Sequence, residues 1–254
     1  MTSRSSARLA SVAIVLVAVG LWESVVRLGL VSFDTIPSAS ATAQGLVDVV
    51  RSGELTSSVL HTLGVFAMSF ALAAMAGLVL GTMIGISKTL YSYLHGFLEF
   101  LRFVPPPAII PLVLIIAGFT HRSELLIAAF ASLWPVLLNT ADGVEAIDPQ
   151  LREVGHSLCM GRVQMFFKLV LPAALPTIAV GLRLALSLCL IIVITTEIVA
   201  IRAGVGFALV SASSALRPNE VYAYIFTIGA LGLLLNLAFR FFERRVMLRG
   251  WMLV

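Results

Sequence analysis

Six long apolar stretches, 9–28, 59–86, 97–118, 125–140, 173–200 and 221–239, alternate with short polar pieces along the 254-residue chain. A bilayer core about 30 Å thick is crossed by roughly 20 helical residues, so each stretch predicts a spanning helix, the shortest being 125–140. Period-2 alternation is absent, and lipid offers no partner to an open strand, so helices are the expected spanning form. Arg4 and Arg8 ahead of an apolar run also suit a signal peptide. The small-residue stretch Ser38-Ala39-Ser40-Ala41, however, lies far beyond the apolar core. A retained first helix is therefore expected, with Trp22 as an interfacial anchor.

Composition agrees with this pattern. Apolar residues make up 59% and charged residues 12%, and mean hydropathy is +1.04; a soluble domain carries about 25% charged residues. The net charge of +4 does not point to nucleic acid, because the basic residues form no stripe and fall between the apolar runs. Their placement sets orientation instead. With the N-terminus inside, Arg4, Arg8, Lys88, Arg152, Arg162, Lys168, Arg240, Arg244, Arg245 and Arg249 are cytoplasmic. Arg27, Arg51, Arg122, Arg202 and Arg217 are outside, and Arg102 and Arg183 fall within spans. This excess predicts both termini in the cytoplasm. Cys159 and Cys189 lack metal-ligand spacing and read as small apolar residues.

The cytoplasmic piece between the fourth and fifth stretches is too patterned for a linker. Asp148-Pro149 is a helix start, an N-cap acid followed by a proline already set to helical φ. Leu151, Val154 and Leu158 then recur at helical spacing, and Gly161 is expected to break that helix. Val163, Phe166, Phe167 and Val170 form the apolar side of a second helix, expected to close at Pro172. The pattern by itself suits either an interfacial helix pair or a docking element for a cytoplasmic partner.

The stretch resembles the EAA loop of type I ABC importer permeases: E-A-A, three residues, G, nine residues, I-x-L-P. Glu153 takes the Glu position, Leu169 the Ile position and Leu171-Pro172 the L-P. Val154 and Gly155 replace the two Ala, and Cys159 stands where Gly is usual; Gly161 does not restore the register. Further segments resemble the nitrate, sulfonate, taurine and bicarbonate branch of that family. They are 20–27 (GLWESVVR), 36–38 (IPS), 102–111 (RFVPPPAIIP), 139–140 (NT), 171–176 (LPAALP) and 181–183 (GLR).

This resemblance implies an all-α integral membrane fold of about six transmembrane helices, one permease domain over 1–254 with its core at 59–240 and a coupling loop at about 141–172. It implies a homodimer or heterodimer of permeases in the lipid of the bacterial inner membrane, two cytoplasmic ATPase subunits and an extracytoplasmic solute-binding protein. The solute would be a small anionic or polar organic molecule. ATP and Mg would sit on the ATPase, with no cofactor on this chain. ATPase coupling would fall to Glu153, Gly155, Cys159, Gly161, Phe166, Leu169, Leu171 and Pro172.

Two groups inside the spans stand out as pathway candidates. Pro105, Pro106, Pro107 and Pro111 lie in the third stretch, where they suit either a structural kink or a moving gate. Arg183 and Glu197 lie in the fifth, where ionisable residues face an interior or a cavity. Fourteen positions apart, roughly 21 Å along a helix, they cannot pair with each other; Arg183 could snorkel to the interface and Glu197 sit near the outer end. Thr195 and Thr196 suit back-bonding within the helix. His61, His95, His121 and His156 are dispersed, and neither a G-x-S-x-G elbow nor a G-x-x-x-x-G-K-[ST] loop occurs, so ATP would be bound by another chain. A secondary transporter would show paired broken helices and an intramembrane enzyme a nucleophile with its base; the sequence displays neither pattern.

Overall fold

The computed structural model describes residues 3–29 and 35–247, among which there is no strand; Arg249 of the basic set lies outside them. The helices are α1 (Ser3–Arg27), α2 (Ala39–Arg51), α3 (Glu54–Ile86), α4 (Lys88–Arg102), α5 (Pro106–Ala117), α6 (His121–Glu145), α7 (Pro149–Ser157), α8 (Arg162–Met165), α9 (Leu171–Val199), α10 (Gly204–Ser214) and α11 (Pro218–Phe242). Wide π turns follow α8 at Phe166–Val170 and α11 at Glu243–Met247.

Among the described residues, four helices are long and apolar enough to cross a membrane, or five if α4 and α5 count as one bent span. Residues 9–27 of the first stretch lie in α1, and Leu28 follows in a turn. The third stretch, 97–118, is not one helix. It straddles a turn of 86° between α4 and α5, because consecutive prolines hold the preceding backbone out of the helical region.

At the centre is a three-helix core of α3, α6 and α9. Along α3, Gly77, Gly81 and Gly85 recur every fourth residue and face α6. A methyl carbon there would lie 2.7 Å from Val136 Cβ, 2.5 Å from the Leu137 carbonyl oxygen and 2.6 Å from that of Ala141. Glycine is what allows two backbones this close, a packing mode suited to lipid, where helices gain nothing from apolar burial alone. The successive contacts 77–136, 81–137 and 85–141 advance together, so α3 and α6 run parallel. Contacts between α6 and α9 run the other way, Gly143 meeting Ala174 and Gly181 meeting Pro135, so α9 is antiparallel to both. With α3 and α6 parallel, α4 and α5 together must carry the chain back from one end of the bundle to the other.

The outer helices pin the ends. At one end, Tyr91 and His95 of α4 contact the Asp142 carboxylate of α6 at 3.0 and 3.1 Å. At the opposite end, Ser38 caps α2 by accepting from Ala41 N at 3.2 Å, and Gly45 lets α2 lie directly on the Asn219 backbone of α11. Trp22 packs on Tyr222 and Phe226 at 6.2 and 5.9 Å between ring centroids. Burial separates the layers: 67% of the apolar window of α6 is buried, against 11% for α11. Leu184 and Ile191 of α9, Met75 and Met83 of α3 and Leu233 and Leu234 of α11 are all more than half exposed, an outward apolar surface suited to lipid or another apolar chain rather than to water.

Candidate functional site

The loop begins as the sequence predicts. Asp148 accepts a hydrogen bond from Gln150 N at 2.8 Å, and Pro149 opens α7 where a missing N–H costs nothing. It ends differently. Cys159, not Gly161, stops the helix, with φ at 52° in the left-handed region. Met160 N donates to Gly155 O at 3.0 Å and Cys159 N to His156 O at 2.9 Å, the pair of bonds that closes a helix through a left-handed residue. Cys159 thus occupies the position the motif gives to glycine, and it bears the steric cost that glycine would avoid. Gly161 has φ of −65° and instead precedes α8 as its N-cap.

The second helix does not close at Pro172. From Arg162 to Val199 the chain is one continuous helix of 38 residues. Pro172 has no N–H to donate, and its ring needs room against the preceding turn. The π turn supplies that room, with Leu171 N reaching back five residues to Phe166 O. The loop is therefore continuous with a core helix.

Gly155 and Leu169, fourteen positions apart in the motif register, come together where α7 crosses this helix. Gly155 is buried, and a methyl carbon on it would meet Leu169 Cδ1 at 2.9 Å and Met165 Cε at 3.2 Å. Leu151, Met165, Phe166 and Leu171 pack onto the main core. Phe166 accordingly faces inward, and the outward ring is Phe167, 61% exposed and set edge-on to Phe166 at 5.1 Å. Val154, Leu158 and Val163 are also at least half exposed, and Glu153 is exposed beside them. Helical spacing alone could not separate the two neighbouring phenylalanines; only the π turn decides which of them points out.

At the break between α4 and α5, Pro105 adopts extended ψ of 118°, and Pro106 and Pro107 fill the first turn of α5. Pro111 lies inside α5 and is exposed. Pro106 and Arg102 line a recess of about 410 Å³ with Trp134, Pro135 and Asn139 of α6 and Leu184 and Leu188 of α9. Arg102 stacks near the Phe103 ring at 5.9 Å and, among the described residues, has no carboxylate partner.

Arg183 does not reach alone to the interface. Its Nη2 donates to Glu243 Oε1 at 2.7 Å, tying α9 to the turn after α11. Glu197 is 1% exposed and both its oxygens are engaged: Thr62 Oγ1 donates to Oε1 at 2.7 Å and Gly206 N to Oε2 at 2.8 Å. Thr62 Oγ1 also accepts from Val205 N at 3.0 Å. The carboxylate and the hydroxyl thus satisfy the orphan N–H groups at the start of α10, locking α3, α9 and α10 at one end of the bundle. Gly204 there has φ of +89° and leaves no room for a side chain against the Glu197 carboxyl. Thr195 and Thr196 donate to the carbonyls four residues back, as expected.

The dispersed histidines are not all apart in space. His61 and His121 lie with ring centroids 5.3 Å apart, both against the buried Glu124. Residues 60 positions apart in sequence carry no local signal, so this cluster was invisible until α3 and α6 were set parallel.

The family model for the inner membrane component of binding-protein-dependent transport systems matches residues 57–248. A Bacillus subtilis (strain 168) protein named as an aliphatic sulfonates transport permease is 32% identical over 91% of this chain and 84% of its own length. A nitrate import permease protein of Leptolyngbya laminosa is 32% identical over 71% of this chain, which spans 64% of that relative. Among solved structures, an inward-facing MetNI methionine ABC transporter matches with a TM-score of 0.65 at 17% identity, over 77% of this chain and 97% of the other. The family match over most of the chain, the relatives named for sulfonate and nitrate, and the shared all-helical fold agree, and the chain belongs to the family of inner-membrane components of binding-protein-dependent transport systems.

Proposed function

We propose that this chain is the permease subunit of an ATP-driven importer that passes a small anionic solute from an extracytoplasmic binding protein to the cytoplasm, with α7 and the start of the following helix as the ATPase docking element. One observation carries the reading: a hairpin presents Val154 and Leu158 outward from its first arm and Val163 and Phe167 from its second, and that second arm continues as a 38-residue helix into the core. A push on such an arm is transmitted along a rigid rod rather than absorbed in a linker. ATP and Mg belong to the partner ATPase, and this chain supplies the path. Two permeases, identical or closely related, would enclose that path, and the exposed apolar side of α5 (Leu112, Ile115, Ile116) suits a partner helix.

For the solute, the names of the relatives support an anion, and Arg102 beside the Pro106 recess is the cation we assign to it. The test of docking is a pull-down of the ATPase with Phe167→Asp and Val163→Asp together. Loss of the ATPase with normal membrane insertion is expected; full assembly together with normal uptake in vesicles would overturn the assignment. Arg102→Ala should raise the KM for uptake at least tenfold with ATPase assembly intact, and an unchanged KM removes Arg102 from the path.

A further inference from the structure

We propose that His61, His121 and Glu124 form a binding site for a divalent transition-metal cation of the zinc type, joining the first turn of α6 to α3. His61 Nε2 lies 3.2 Å from Glu124 Oε2, and His121 Nδ1 lies 3.7 Å from the same oxygen. One ligand atom from each residue falls within 4.8 Å of the others. Zinc held at about 2.0–2.1 Å by tetrahedral ligands sets them about 3.3 Å apart. The two contacts to Glu124 meet that spacing within a few tenths of an ångström. The wider separation closes by a movement of His121, whose side chain is 47% exposed.

Two imidazoles and a carboxylate are a donor set for zinc and its neighbours rather than for magnesium or calcium, which take oxygen ligands. The carboxylate also calls for a cation. Glu124 is 0% exposed and its Oε1 has no hydrogen-bond partner, and, among the described residues, no Lys or Arg pairs with it. A buried carboxylate without a strong counter-charge is costly, and the neighbouring Glu197 adds a second carboxylate to the same region without a cation. A divalent ion offsets that charge and takes up the free lone pairs. Water reaching the exposed flank of His121 would complete a four-coordinate site.

The experiment uses the full-length chain in lipid nanodiscs, purified through a tag without histidine, with Co²⁺ as a spectroscopic probe and Zn²⁺ as competitor. Wild type is expected to bind one Co²⁺ per chain with the intense visible bands of a tetrahedral site, to release it to Zn²⁺, and to unfold at higher temperature with Zn²⁺ present. His121→Ala, at an exposed position where folding is not at stake, should weaken binding at least about tenfold, since even outer-shell changes at metal sites cost 10–100-fold. It should also abolish the thermal shift. His61→Gln should do the same, and His95→Gln, against Asp142 at the opposite end of α6, should do neither. Absence of stoichiometric Co²⁺ binding in the wild type, or binding equal in wild type and His121→Ala, overturns the proposal and leaves a histidine–carboxylate cluster alone. Because no step of the test measures transport, its failure is distinct from any failure of the importer assignment.

Discussion

Cys159 is a residue whose conformation opposes its chemistry. A left-handed backbone costs a side-chain-bearing residue roughly 1–2 kcal/mol, while glycine loses part of that advantage through its freedom when unfolded. Cys159→Gly should therefore stabilise the chain by about 0.5–1 kcal/mol, read as a rise in thermal unfolding temperature, whereas Cys159→Val should lower it. Equal unfolding temperatures in the three proteins would show that the helix end is free to rearrange. Arg183 and Glu243 make a second residue-scale case. Either single change, Arg183→Met or Glu243→Gln, leaves a charged or polar partner without its mate in an apolar setting and should lower stability. The double change should recover part of the loss, as neighbouring pairs are non-additive. If Arg183 serves only this pairing, the KM for uptake in the double variant stays near that of the wild type.

At the scale of elements, the break between α4 and α5 and the α3–α6 crossing rest on different physics. The break is conformational. Pro106 keeps Pro105 extended and Pro105 keeps Val104 out of the helical region. Replacing Pro105 and Pro106 together with Ala removes both restraints, so α4 should extend toward α5. Spin labels at the exposed positions Phe97 and Ile115 should then move apart, while an unchanged distance would place the cause of the turn in packing. The crossing is steric. Gly81→Val would drive a branched side chain into the Leu137 carbonyl and Thr140, which should cost about 3 kcal/mol or more and appear as loss of folded protein on extraction. Gly64, on the same helix but with nothing within 4 Å of its would-be side chain, should accept Ala with little change.

At the scale of the whole molecule, the parallel course of α3 and α6 fixes how often the chain returns. α4 and α5 together act as one passage, as the single stretch 97–118 implied, although they do so through a right-angled turn. The basic residues favour the α7 end as cytoplasmic. A reporter that works only in the cytoplasm should accordingly be active after Val254 and silent near Gly53, and the reverse pattern would invert the proposed topology. The membrane solvent, the approximate spans, the helix start at Asp148 and the family were all written in local patterns: runs of apolar residues, a capping pair, and a motif whose spacing needs no partner chain to be recognised. Spacing also brought Glu153, Gly155 and Leu169 into view as one loop. Local patterns could not say that Phe167 rather than Phe166 faces out, because a π turn shifts the angular register and its cause, Pro172, lies beyond it. Nor could they show Arg183 on Glu243, Glu197 capping α10, or His61 beside His121 and Glu124. Those meetings join residues from 9 to 63 positions apart, and they exist only because the packing of separate helices brings particular side chains into one site.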